Sequence, residues 1–213
     1  MSAPGVCDIR QATRARGLAK SVDRGPSVPL VFLVLAAALL VTGHQSWGAE
    51  PGAGPVTALA ATEESGKPLF ELPSLDGPSR RLAEFRGRIV LLHFFATWCE
   101  SCRPEMVQLQ QLRARRADAP LEVVAVSVAE ADGAVRRFFN GPPPISILLD
   151  RDRAVAKLWN IERLPTTIVL DFRLRPRFIA EGDVDWSRQD VTDALALLLK
   201  EVPRAEDVGG RQP

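Results

Sequence analysis

An α/β domain, with a central mixed and mainly parallel sheet flanked by helices, is the fold class this sequence predicts. Between residues 67 and 202, apolar runs of strand length alternate with segments of helical period. The runs at residues 89–96 and 121–128 are almost continuously apolar, as strands covered on both faces must be. Short connections make successive elements neighbours, so the strands join one sheet.

In chain order, residues 1–27 are basic, with Arg10, Arg14, Arg16, Lys20 and Arg24 against Asp8 and Asp23. Residues 28–48 carry no charge and hold an apolar core over 28–41, the pattern of a signal peptide or an N-terminal membrane anchor. The core is short, which favours a signal peptide. Against cleavage, no small-x-small site lies close behind it: Trp47 sits three residues back from a cut after Ala49, and Ala58-Leu59-Ala60 is far downstream. Extended to an interfacial Trp47 the segment reaches bilayer length, and an anchor is the preferred reading. The positive-inside rule then keeps residues 1–27 cytoplasmic and places the remainder outside. Residues 49–66, rich in Ala, Gly, Pro and Thr, read as a flexible linker.

The folded domain is expected over residues 67–202. Leu69 to Leu72 and Arg80 to Leu82 flank a turn-rich stretch with Asp76-Gly77-Pro78, which predicts an N-terminal hairpin extension. After the strand at 89–96, residues 100–117 form a helix with Met106, Leu109, Leu112 and Arg113 at three- and four-residue steps. The strand at 121–128 leads to a short helix at 131–139, ended by Gly141 and the prolines 142–144. A strand at 145–149, a helix at 154–159 and strands at 166–170 and 177–180 follow, with a central insertion expected within this array. The closing helix, 190–202, is amphipathic through Val191, Leu195 and Leu198, and 203–213 read as a disordered tail.

Apolar content of 46% and charged content of 25% are those of a globular chain. A net charge of +1 makes no case for nucleic acid, which asks for a basic domain or stripe. Three cysteines cannot build a disulfide framework, and Cys7 lies outside the predicted domain. His44 and His93 are too few and too far apart for an evident zinc site.

The chemistry therefore falls to Cys99 and Cys102, in the run Phe94-Phe95-Ala96-Thr97-Trp98-Cys99-Glu100-Ser101-Cys102. A Cys-x-x-Cys pair serves zinc knuckles, structural disulfides and redox dithiols alike. Zinc needs a second ligand pair, absent here, and a structural disulfide around so small a loop would constrain the unfolded chain little. A strand before the pair and a helix after it select the redox reading, because unpaired N–H groups at a helix start favour the attacking thiolate.

The run from Phe94 to Cys102, followed by Arg103, Glu105 and Met106 and later by Leu164-Pro165-Thr166-Thr167, resembles the thioredoxin superfamily. Within it, the similarity is to the membrane-tethered TlpA/ResA-like thiol–disulfide oxidoreductases, over about two-thirds of the chain. That resemblance implies a thioredoxin fold, with Cys99 as nucleophile and Cys102 as resolving thiol. It implies a cis Pro165 facing the sulfurs, so that the backbone of Leu164, with Thr166 beside it, pairs with an extended substrate. Trp98 would shield the sulfurs. Glu105, one helical turn beyond Cys102, would manage proton transfer, against the alternative of a solvated surface glutamate. His93 stands where thioredoxins carry a buried aspartate and is a possible proton relay, or else a core histidine with one hydrogen bond. Val107 replaces a helix-kinking proline of relatives, and Trp186 matches an aspartate–tryptophan feature expected to serve packing.

The expected activity is dithiol–disulfide exchange on protein substrates, reducing more than oxidising, outside the cytoplasm of a bacterium with the inner membrane as anchor. Cytochrome c maturation is the resemblance's best-known setting. Electrons would come from a membrane donor of the DsbD/CcdA type, and no cofactor beyond the Cys99–Cys102 disulfide is expected. Glu100 between the sulfurs opposes the thiolate and tilts the pair towards reduction. Rival readings are a thioredoxin-fold copper carrier, a peroxidase and a non-catalytic adaptor. The carrier lacks a histidine after His93, and the peroxidase lacks a proline four residues before Thr97.

Overall fold

The computed structural model describes residues 7–8, 57–62, 66–139 and 141–203. The anchor or signal segment and most of the basic stretch, the linker and the tail lie outside the described residues. Among the described residues no helix is long and apolar enough to cross a membrane.

In chain order the elements are β1 (Cys7–Asp8), β2 (Ala60–Ala61), β3 (Glu71–Leu72), β4 (Arg80–Arg81), β5 (Ile89–Phe95), α1 (Cys102–Arg115), β6 (Leu121–Val128) and α2 (Asp132–Phe138). Then come β7 (Ser146–Asp150), α3 (Ala154–Leu158), β8 (Arg163–Leu164), β9 (Thr166–Leu170), β10 (Pro176–Glu181) and α4 (Gln189–Glu201). The main sheet has the order β2-β10-β9-β5-β6-β7. Strands β5, β6 and β7 are parallel, whereas β9 runs antiparallel to β5, and β10 antiparallel to β9. The sheet is thus mixed, and α2 with β7 forms the insertion that widens it. The hairpin β3–β4 pairs Glu71 with Arg81 and Leu72 with Arg80, as its turn chemistry predicts.

Every residue of β5 and β6 is buried, which matches their continuous apolar sequences. Strand β5 lies inside the sheet between β9 and β6, so its C-terminal exit opens at the centre of one edge of the domain. Helix α1 buries Cys102, Glu105, Met106, Leu109 and Leu112, spaced three and four apart on one face. Val107 points outward and is 49% exposed, and α1 runs through it unbroken.

The structure corrects the sequence reading in two places. Helix α1 starts at Cys102, not near Cys99, and Cys99 to Ser101 form successive turns, with Cys99 N–H on Ala96 O and Cys102 N–H on Cys99 O, both at 3.2 Å. Pro104 is the reason: it lacks an N–H and is tolerated only in a first turn, so a helix begun at Cys99 would place it in the bonded interior. Cys7 is the second correction. Expected outside the domain, it pairs in β1 with Leu164, and Asp8 pairs with Arg163, on the edge that precedes Pro165. An unpaired strand edge offers its N–H and C=O groups to any extended segment, and β1 takes them.

Candidate active site

The exit of β5 delivers Ala96, Thr97 and Trp98 to the disulfide between Cys99 and Cys102. Both sulfur-bearing residues are buried, Cys99 beside the Ser101 hydroxyl at 3.6 Å, while Trp98 stands 44% exposed next to them. Glu100, between the cysteines, faces solvent. The Leu164–Pro165 peptide bond is cis. Pro165 O accepts from Gly182 N–H at 2.8 Å, and the Thr166 hydroxyl donates to Arg163 O at 2.9 Å. Thr166 is therefore engaged within its own loop, and it is the backbone of Leu164 that meets another strand, here at Cys7. Burial pushes the Cys7 thiol up, with the Glu100 carboxylate adding to the rise and the Glu100 N–H opposing it.

Beneath this surface lies a buried polar cluster. His93 and Thr167 face each other across β5 and β9, and His93 Nδ1 is 2.9 Å from Thr167 Oγ1. Thr167 Oγ1 donates to Glu105 Oε1 at 3.4 Å, and Trp186 Nε1 donates to the same oxygen at 2.9 Å. The chain of donors is consistent when His93 Nδ1–H donates to Thr167, whose own proton points to Glu105. His93 Nε2 and Glu105 Oε2 have no partner among the described residues.

Desolvation dominates this cluster. It pushes the Glu105 carboxyl up to about 8, against hydrogen bonds from Trp186 and Thr167 that favour the charged form, and the nearby Asp183 charge adds to the rise. It lowers His93 to about 3. His93 Nδ1 lies 3.9 Å from Glu105 Oε1, a separation that would admit an ion pair. Both groups are instead neutral near pH 7: each is at most 1% exposed, and the low-dielectric surroundings penalise either charge more than this distance repays.

The structure therefore joins His93 and Glu105, which the sequence read separately, and makes Glu105 a buried acid rather than a surface glutamate. Trp186, read as packing, is also a hydrogen-bond donor to that acid. Thr167 sits at the centre of the cluster, and only its place in Leu164-Pro165-Thr166-Thr167 hinted at it. Glu130 was not anticipated. Its carboxylate accepts from Thr97 N–H at 2.9 Å, Thr97 Oγ1 at 2.5 Å and Ser127 Oγ at 2.8 Å.

A disulfide at the exit of a central strand, in a domain that also carries a cis Leu164–Pro165 bond, is the geometry that comparisons with known proteins bear on. Residues 66–175 match the AhpC/TSA family. The chain belongs to that thioredoxin-like family. The match spans β3 to β9 and so includes Cys99, Cys102 and Pro165. Within the family the chain is similar to the thiol-disulfide oxidoreductase ResA of Geobacillus kaustophilus, 33% identical over 144 residues, 66% of this chain and 78% of the relative. It is 30% identical to ResA of Geobacillus thermodenitrificans, over 78% of this chain and 91% of that protein. A secreted thiol-disulfide isomerase of Corynebacterium glutamicum superposes with a TM-score of 0.56 at 21% identity, covering 68% of this chain and 91% of its own, a likeness that shows the shared fold. The AhpC/TSA assignment and the ResA likeness together make the chain a TlpA/ResA-like member of the thioredoxin superfamily.

Proposed function

We propose that this AhpC/TSA-family protein acts outside the cytoplasm as a reductant of protein disulfides. It is a thiol–disulfide oxidoreductase by its ResA relatives and its cysteine pair. The observation that carries the mechanism is the disulfide at the β5 exit, set above a buried carboxylic acid one helical turn beyond Cys102.

In the reduced protein the Cys99 thiolate attacks one sulfur of a substrate disulfide. A Cys99–substrate disulfide forms and the other substrate sulfur leaves as a thiolate that takes a proton from water. Glu105, as carboxylate, accepts the Cys102 proton. The Cys102 thiolate then attacks Cys99 Sγ, which closes the internal disulfide and releases the second substrate thiolate. Two electrons pass from the protein to the substrate. The oxidised protein ends with Glu105 protonated, which matches its high affinity for a proton in this disulfide state. His93 holds the acid in place through Thr167.

The backbone of Leu164 pairs with an extended substrate, and β1 supports this reading by lying there as a strand with its cysteine opposite Leu164. Export through residues 28–48 would leave residues 1–27 in the cytoplasm or cut them away, and so free this edge for a partner. An inner-membrane anchor, a DsbD/CcdA-type electron donor and a role in cytochrome c maturation complete the proposal. They rest on the basic-then-apolar N-terminus and on the TlpA/ResA likeness. Purified protein should reduce a model disulfide such as that of insulin, and Cys99→Ser should abolish turnover. Unchanged activity in that variant would sink the mechanism.

A further inference from the structure

We propose that Glu130 is a positioning residue for Cys99, acting through Thr97; the inference rests on the reduction proposed above. Glu130 follows β6 and is 8% exposed, yet it touches neither cysteine in any hydrogen bond. Its carboxylate instead ties together the exits of two neighbouring strands. Ser127, opposite Phe95 in the β5–β6 register, donates to Oε2. Thr97, two residues beyond Phe95 and two before Cys99, donates its backbone N–H to Oε2 and its hydroxyl to Oε1.

The chain departs from ordinary backbone geometry to make this contact. Ala129 sits in the left-handed region at φ 61°, with its N–H on Asp150 O at 2.9 Å, and so turns Glu130 back over the strand ends. A non-glycine residue in that region carries a conformational cost that surrounding structure must offset, and such residues gather at functional sites. The segment it secures is short of regular structure: between β5 and α1, Thr97 and Trp98 lie in neither strand nor helix. Thiol–disulfide exchange needs the attacking sulfur, the central sulfur and the leaving sulfur in register, and small misplacements of a reacting atom cost rate steeply. Holding Thr97 at two atoms fixes where the backbone enters Cys99, and hence where its sulfur stands for attack.

The test is steady-state disulfide reduction by full-length protein carrying Glu130→Ala or Glu130→Gln, at a temperature where circular dichroism shows each variant fully folded. Glu130→Ala removes all three acceptor contacts and is expected to lower kcat about tenfold or more with KM little changed, since the Leu164 edge that binds substrate is untouched. Glu130→Gln, with its amide oxygen in the place of Oε2, still accepts from Thr97 N–H and Ser127 Oγ and offers an amide N–H to the rotated Thr97 hydroxyl, so it should recover kcat to within about threefold of the parent. Should Glu130→Ala not fold, Thr97→Val removes one of the three bonds alone and is expected to lower kcat by a smaller factor in the same direction. The proposal is overturned if both folded variants turn over like the parent, if the loss lies in KM alone, or if Glu130→Gln is as impaired as Glu130→Ala. Cys99→Ser, run alongside, separates the cases: activity surviving there refutes the reductase reading itself.

Discussion

Replacing Glu105 by Gln removes one titration while keeping an oxygen for Trp186 Nε1–H and Thr167 Oγ1–H to reach. In the folded protein this carboxyl keeps its proton up to about pH 8, against an ordinary value of 4.5. Below pH 4.5 the folded and unfolded chains both hold the proton. Between 4.5 and 8 the unfolded chain releases it and the folded chain does not, so stability falls as pH rises, by about 1.4 kcal/mol per unit. Above 8 both are ionised and the loss, on the order of 5 kcal/mol over the full interval, is complete. His93 has the opposite sign: it is neutral in the fold down to about pH 3 against an ordinary 6.5. The unfolded chain binds a proton there that the folded chain refuses, so His93 makes stability rise with pH from 3 to 6.5. The two slopes cancel between 4.5 and 6.5, and from 6.5 to 8 the Glu105 slope stands alone. Over those 1.5 units (8 minus 6.5) the parent should lose about 2 kcal/mol that Glu105→Gln retains. Urea unfolding of the oxidised protein at pH 6.5 and pH 8, read by circular dichroism, measures the difference. Equal slopes in parent and variant, or stability rising across this interval in the parent, would refute the burial argument for Glu105.

The same acid sets the pH dependence of exchange: the parent's rate should climb from pH 6 to about 8 and level off, while stopped-flow kinetics of Glu105→Gln should lack that limb. Trp186→Phe removes the donor that favours the charged form of Glu105, so the limb should move to higher pH, and an unmoved profile would leave Trp186 a packing residue only. Away from the site, the Asp150 carboxylate accepts the N–H groups of Val155 at 3.2 Å and Ala156 at 2.8 Å at the start of α3. Asp150→Ala strands those donors and should cost about 1–3 kcal/mol in thermal or urea unfolding, with the kcat of the folded variant unchanged.

Local pattern carried most of the architecture. Continuous apolar runs located β5 and β6, three- and four-residue spacing located α1 and α4, and turn chemistry located the β3–β4 hairpin. The reason is that strand and helix periods are written within a few residues and need no distant partner. Cys99, Cys102 and Pro165 were legible because each sits in a short motif. What only the tertiary structure decided depends on partners far along the chain: Trp186 meets Glu105 across 81 positions, Thr167 meets His93 across 74, and Glu130 meets Thr97 across 33. The protonation of Glu105 and His93 follows from desolvation, a property of everything packed around a group rather than of the group's neighbours in sequence. The pairing of Cys7 with Leu164 belongs to the same class, since an open strand edge accepts an extended segment for its backbone and leaves no mark in that segment's sequence.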